Sequence, residues 1–333
     1  MVCSILLPFH DAVDTLEEAV RSLQGQIFRE WELILVDDGS KDGGSELAQK
    51  FVSNDPRIQL LVQSHSGIVT ALNKGLGVVR GQFIARMDAD DVCDPERLGR
   101  QLEYMEKNPE VGLVSCLVEH LGTDSSQQGY AEYVRWINSL TTPDEIYLQR
   151  FVESPFAHPS VMFRKELVEQ FGGYRDGDFP EDYDLWLRWL QAGVRMAKVP
   201  EVLLQWRDLP GRLSRADDRY RLEAFYRLKF QYLSKWLPKD KPIWVWGAGR
   251  TTRQRATWLE ELGVHIEGYF DVDPRKVGEP REGLKVLHYK DVPDTPEQIF
   301  IIVLAGARGV REKVASFLSA QRWTQGSDYI FCA

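Results

Sequence analysis

Residues 31–44 read WELILVDDGSKDGG, an apolar run that ends in two carboxylates and breaks at once into a turn-rich loop. Five apolar residues broken by a single acid in the first six positions, with no alternation, mark a strand buried on both faces, as in a parallel sheet. The same unit recurs on either side. SILLPF (4–9) reads as a strand, Thr15–Leu23 as an amphipathic helix, Ser45–Val52 as a second helix and RIQLLV (57–62) as a third strand. Ser66–Leu76 follows as a helix with Ser66 as its expected N-cap, then the strand QFIARMD (82–88). Pro95–Lys107 is a helix with proline at an early position, and VGLVSC (111–116) a further strand. Strand and helix in alternation predict an α/β fold with a mainly parallel sheet. Acids collect at two strand ends, the edge where open α/β sheets bind ligands.

The 333 residues are enough for two domains, and 43% hydrophobic with 27% charged side chains is an ordinary globular balance. No apolar run approaches the ~20 residues of a membrane helix, and MVCSILLPF is interrupted by His10 and Asp11, so neither a membrane segment nor a signal peptide is expected. Cys3, Cys93, Cys116 and Cys332 lack CxxC spacing, which argues against zinc and disulfides and for reduced thiols in a cytoplasm.

The net charge of −9 is unevenly spread. Residues 1–194 carry 17 basic and 32 acidic side chains, residues 195–255 carry 15 and 6, and residues 256–333 carry 9 and 12. Within the basic stretch, a helical segment from Ala216 to Trp236 interleaves aromatic and basic residues and reads as a bridge. After Pro238 and Pro242 the strand IWVWGAGR, a helix to Leu262 and the strand IEGYFDVD begin a Rossmann-like unit, which IFIIVLAG, the helix Val310–Ser319 and YIFCA complete. Its Gly247-x-Gly249 is followed by Thr252 where a third small residue would stand, so the dinucleotide fingerprint is incomplete; a bound nucleotide and an empty docking module both stay open. The expected division is residues 1–210, a basic helical bridge at 211–240, and residues 241–333.

Three acidic clusters carry the chemistry: Asp37-Asp38, Asp88-Ala89-Asp90-Asp91 and Glu181-Asp182. The first could be a turn in which aspartates bond their own backbone, and Asp182 could cap the helix DYDLWLRW. The DADD cluster resists such a reading, because three carboxylates in four residues repel one another unless a cation sits among them. Together the clusters suit a nucleotide diphosphate: a divalent ion neutralises the phosphates, and a carboxylate on a separate loop deprotonates an incoming hydroxyl.

Five stretches, SILLPFHDAVDTLEEAVRSLQGQ, WELILVDDGSKDGG, ARMDADDVCDPERLGRQ, HPSVMFRKELVEQFGGY and PEDYDLWLRW, in this order and spacing resemble glycosyltransferase family 2, the inverting enzymes of GT-A fold. The resemblance spans residues 1 to about 207. It implies a UDP-sugar donor with Asp38 on the uracil ring and Pro8 lining the base pocket. Asp88 is implied near the ribose and Asp90 on Mn²⁺ or Mg²⁺; these two are the expected metal-side residues. In the motif Glu181-Asp182, Asp182 is the implied general base. Where some relatives have a histidine after the LLQWR strand, this chain reads WRDLPGRLSR, leaving Arg207 or Arg212 as phosphate contacts. RWIN, PED, the GAG-Arg turn and FDVD add a looser resemblance to the queuosine-tRNA galactosyltransferases. It implies queuosine in tRNA as acceptor, with Arg219, Arg227 and Arg253, among Arg215, Arg221, Lys229 and Lys235, as candidate phosphate-binding cations. A solvated basic helix paired with acids is the plainer alternative, and a cell-surface glycan the other acceptor class. A degenerate, non-catalytic binding module is the reading of another class.

Overall fold

In a computed structural model of the chain, residues 2–122, 128–208, 217–281, 283–307 and 309–333 are described. They form two compact units: residues 1–146 with 155–220, and residues 147–154 with 221–333.

In the first unit the expected alternation is present. Strands β1 (Cys3–Phe9), β2 (Trp31–Asp37), β3 (Ile58–Val62) and β4 (Phe83–Arg86) lie side by side in the order β3-β2-β1-β4, all parallel. Helices α1 (Val13–Gln24), α2 (Gly44–Asn54) and α3 (Ile68–Leu76) make the crossovers. β1 and β2 are buried at every position, as the unalternating apolar runs require. The sheet continues through β5 (Val92–Cys93), helix α4 (Arg97–Lys107) and β6 (Val111–Gly122), then helices α5 (Gln128–Ser139) and α6 (Pro143–Gln149). β7 (Met162–Arg164), helices α7 (Lys165–Phe171) and α8 (Glu181–Gln191), and β8 (Arg195–Asp208) complete it in the order β3-β2-β1-β4-β7-β6-β8-β5. β7 runs antiparallel to both β4 and β6, a reversal that the short run PSVMFRK does not announce.

Chain order reverses direction between β1 and β4, which makes the C-terminal ends of these two strands the ligand crevice of the sheet. Pro8 is tolerated in the buried strand β1 because the β1–β4 pairing ends at Leu6–Arg86, so its missing donor faces no partner strand.

Two local expectations are corrected. α3 has Gly67, not Ser66, at its N-cap, and the Ser66 and Gly67 amides donate instead to Asp38, a carboxylate from the end of β2. A distant acid holds the approach to the helix, and no side chain caps α3. The long helix expected from Ala216 is a 3₁₀ turn (Asp218–Tyr220) in the first unit and helix α9 (Leu222–Trp236) in the second, with Arg221, extended, between them. Residues 209–216, including Arg212, Arg215 and Ala216, lie outside the described residues.

The second unit holds a five-stranded parallel sheet of β9 (Ile243–Trp246), β10 (Ile266–Asp271), β11 (Lys285–His288), β12 (Phe300–Val303) and β13 (Tyr329–Phe331) in the order β11-β10-β9-β12-β13. Helices α10 (Arg250–Glu260) and α11 (Val310–Ala320) flank it. This is a Rossmann-like arrangement with its reversal between β9 and β12. No helix among the described residues is long and apolar enough to cross a membrane. All four cysteines are buried free thiols.

Candidate functional site

At the C-terminal end of β2 the two aspartates do different things. Asp37 accepts the Ser40 amide at 2.9 Å and closes the turn. The buried carboxylate of Asp38 accepts Gln63 Nε2 at 2.7 Å, the Ser66 amide at 2.8 Å and the Gly67 amide at 2.9 Å, with His65 Nδ1 at 3.0 Å. Burial pushes this carboxyl up, but the Gln63 and backbone hydrogen bonds outweigh it and hold it below its ordinary value. His65 stacks on His10 with ring centroids 4.1 Å apart, directly after Pro8 and Phe9. The turn itself requires glycine: Gly39 has φ +79°, and a Cβ there would stand 2.6 Å from the His65 backbone nitrogen. Gly39→Ala is expected to cost roughly 1–3 kcal/mol of stability, read from urea denaturation, because strain and the displaced 65–67 segment act together.

Beyond β4, Asp88, Asp90 and Asp91 each offer a carboxylate oxygen, and these oxygens all lie within 4.8 Å of one another. Hard oxygen donors so grouped fit Mg²⁺ or Mn²⁺. Asp91 is fully buried and accepts the Arg207 amide at 2.9 Å, which fastens β8 to the cluster. Arg207 itself pairs with Glu18 at 2.7 Å. Asp88 is ion-paired with Arg86, a guanidinium only 3% exposed at the last position of β4.

The third cluster opens α8. Its N-cap is Pro180, so Asp182 lies inside the first turn and does not cap the helix; its Oδ1 accepts the neighbouring Tyr183 amide at 2.7 Å. Glu181 is buried, and Tyr220 Oη donates to its Oε2 at 2.6 Å. Burial raises the Glu181 carboxyl; burial and then the Glu181 charge raise Asp182. Arg86 opposes both shifts, which puts its charge within reach of the Glu181–Asp182 pair as well as of Asp88 and Asp91. Beside them His158 Nε2 and Tyr174 Oη meet at 2.7 Å, and His158 is held well below its ordinary value by burial and then by Arg86.

Arg86 is thus ion-paired with the DADD cluster, and its charge opposes the upward shifts of Glu181 and Asp182. Sequence reading missed Arg86, Tyr174 and Tyr220. The basic residue ending the otherwise apolar strand FIAR was the available signal for Arg86, whereas nothing local links Tyr220 to Glu181. Of the basic candidates, Arg219 pairs with Asp217 at 3.2 Å and Asp176 at 3.6 Å in the first unit. Arg227 pairs with Glu223 at 2.7 Å and Glu261 at 3.1 Å in the second. Arg253 donates to the Ala248 carbonyl at 2.8 Å. Lys229 cannot serve as a surface cation: it is 1% exposed and donates to the Val152 and Cys332 carbonyls.

In the second unit a cavity of about 650 Å³ lies at the strand ends and is lined by Trp246, Gly249, Asp271, Lys276, Lys313 and Phe317, among others. Gly247 at φ +108° makes the turn, and a Cβ on Gly249 would enter open space, so a phosphate could approach the start of α10. Asp271, the acid that would hold a ribose, is already engaged by the Ala248 amide at 2.7 Å, the Asp273 amide at 2.8 Å and Lys276 at 3.0 Å. The turn fits a phosphate-bearing cofactor, and the committed acid does not fit a free ribose diol.

An open sheet with acidic clusters at its reversal point is the frame of the nucleotide-sugar transferases of GT-A fold. Solved structures are similar in fold, among them Staphylococcus aureus TarS 1–349 in complex with UDP-GlcNAc (TM-score 0.56, 17% identity, 78% of this chain and 71% of that one). Mannosyltransferase PcManGT from Pyrobaculum calidifontis, in complex with GDP-Man and Mn²⁺, is another (TM-score 0.52, 20% identity, 70% and 61%). Residues 4–172 match the model of glycosyl transferase family 2, and residues 238–321 that of the CoA binding domain. The amylovoran biosynthesis glycosyltransferase AmsE of Erwinia amylovora is 33% identical over 195 residues, 58% of this chain and 71% of that protein. The chain belongs to glycosyltransferase family 2.

Proposed function

We propose that this chain moves a hexose, of galactose or N-acetylglucosamine type, from a UDP-sugar to an acceptor hydroxyl with inversion. The observation that carries the reading is the Asp88-Asp90-Asp91 cluster, whose carboxylate oxygens lie within 4.8 Å of one another just beyond β4, a strand at the reversal point of the sheet. Asp88, Asp90 and Asp91 would hold Mn²⁺ or Mg²⁺, whose chemistry is to neutralise the diphosphate charge. Asp182, in its ionised form, accepts the proton of the attacking hydroxyl. Pro8 and Asp38 border the uracil site; because four donors already face Asp38, base recognition requires one of them, His65 or Gln63, to turn away.

For the acceptor we carry forward queuosine in tRNA, supported by the excess of basic residues over 195–255 and by the looser full-length resemblance. Exposed Arg221 and Lys235 replace Lys229 in that reading, with Arg219, Arg227 and Arg253 contributing only where their present partners release them. A saccharide hydroxyl is the second reading, favoured by relatives named for polysaccharide work, AmsE among them. Both readings place the protein in a cytoplasm. The deciding experiment is a screen of UDP-sugars for Mn²⁺-dependent hydrolysis, followed by transfer to queuosine-containing tRNA at low salt and to free or lipid-linked saccharides. Hydrolysis with one donor is expected. Silence with every donor would favour a binding module, and labelling of saccharide alone would remove the tRNA reading.

A further inference from the structure

Among the described residues of the first unit two arginines are buried, and their surroundings differ in kind. Arg97, 1% exposed, gives its guanidinium to Gln101 Oε1 at 3.1 Å, the Arg86 carbonyl at 2.8 Å and the sulfurs of Met87 and Cys93. Those are neutral, packing partners. Arg86, 3% exposed, has its ion pair with Asp88, and its Nε has no hydrogen-bond partner among the described residues. Its backbone is pinned on both sides, the amide donating to the Val161 carbonyl at 2.9 Å and the carbonyl accepting Arg97. The head group therefore stays beside the acidic cluster.

We infer that Arg86 is the resident counter-ion of this site, a positioning residue that holds Asp88 and balances the carboxylates until a divalent cation takes over their charge. The inference rests on the metal reading of Asp88, Asp90 and Asp91. Asp88 pairs with the buried guanidinium, the oxygens of Asp88, Asp90 and Asp91 lie within 4.8 Å of one another, and like charges held this close oppose folding unless a cation is among them. A fixed positive charge next to the metal position also repels the metal. The residue thus stabilises the metal-free fold at the expense of metal affinity, and removing it should move the two quantities in opposite directions. A merely structural arginine would move stability alone.

The test is Mn²⁺ titration by calorimetry, with thermal melting with and without Mn²⁺, on wild type, Arg86→Met, Arg86→Lys and Arg97→Met. In Arg86→Met the metal-free melting temperature should fall while Mn²⁺ binds at least tenfold more tightly, so Mn²⁺ raises its melting temperature more than that of wild type. Arg86→Lys keeps the charge and should bind Mn²⁺ within about threefold of wild type, by the charge argument. Arg97→Met should lose stability with unchanged Mn²⁺ affinity. Unchanged or weaker Mn²⁺ binding by Arg86→Met overturns the inference. Should Arg86→Met fail to fold even with Mn²⁺, Arg86→Lys decides, since a tenfold change there would show that charge is not the determinant. Wild type that binds no Mn²⁺ overturns the metal reading itself, a result distinct from the others.

Discussion

Asp182→Asn is expected to lower turnover by ~10²-fold or more while the affinity for UDP-sugar changes little. The substitution separates two uses of one side chain. A helix cap would be replaced almost isosterically by asparagine, and the structure places Pro180, not Asp182, at the cap. The asparagine oxygen can still accept the Tyr183 amide, so the first turn of α8 is preserved and melting should be nearly unchanged. What is lost is the capacity to take a proton. Because burial and then Glu181 raise Asp182, the base is protonated over a wider acid range than an exposed aspartate. The sign follows: kcat/KM should climb with pH through a value above the ordinary carboxylate range and fall away below it. Stability lost with turnover intact would return Asp182 to a structural role.

The parts of the site that could be read from the sequence are those fixed by short segments. WELILVD and FIAR are strands because their apolar runs must be buried, and the acids fall at or just beyond the strand ends because the runs stop there. PEDYDLWLRW likewise marks a helix start with acids in its first turn. What could not be read depends on contacts between residues distant in sequence. Asp38 takes up the Ser66 and Gly67 amides just ahead of α3 only because β2 ends against the start of that helix. Tyr220 reaches Glu181 across 39 positions. Lys229 sits at a position whose charge suggested solvent, yet α9 turns it inward to two backbone carbonyls. Charge counting along a chain cannot tell a snorkelling lysine from a buried one.

Asp90→Ala should reduce transfer by about 10³-fold or more, on the several kcal/mol that a divalent ion contributes to a departing diphosphate, and should abolish the Mn²⁺ dependence of UDP binding. The fold should survive. Asp90 is only half-buried within a cluster whose carboxylates crowd to within 4.8 Å, so deleting one relieves repulsion. Its neighbour supplies the contrast. Asp91 is fully buried and accepts the Arg207 amide, so Asp91→Ala strands a buried donor and should cost roughly 1–3 kcal/mol of stability. One acid is thus expected to fail in UDP titrations with and without MnCl₂ while its urea midpoint stays in place, and the other to shift that midpoint. Near-normal turnover of Asp90→Ala in Mn²⁺ would mean that the carboxylates after β4 do not hold the metal.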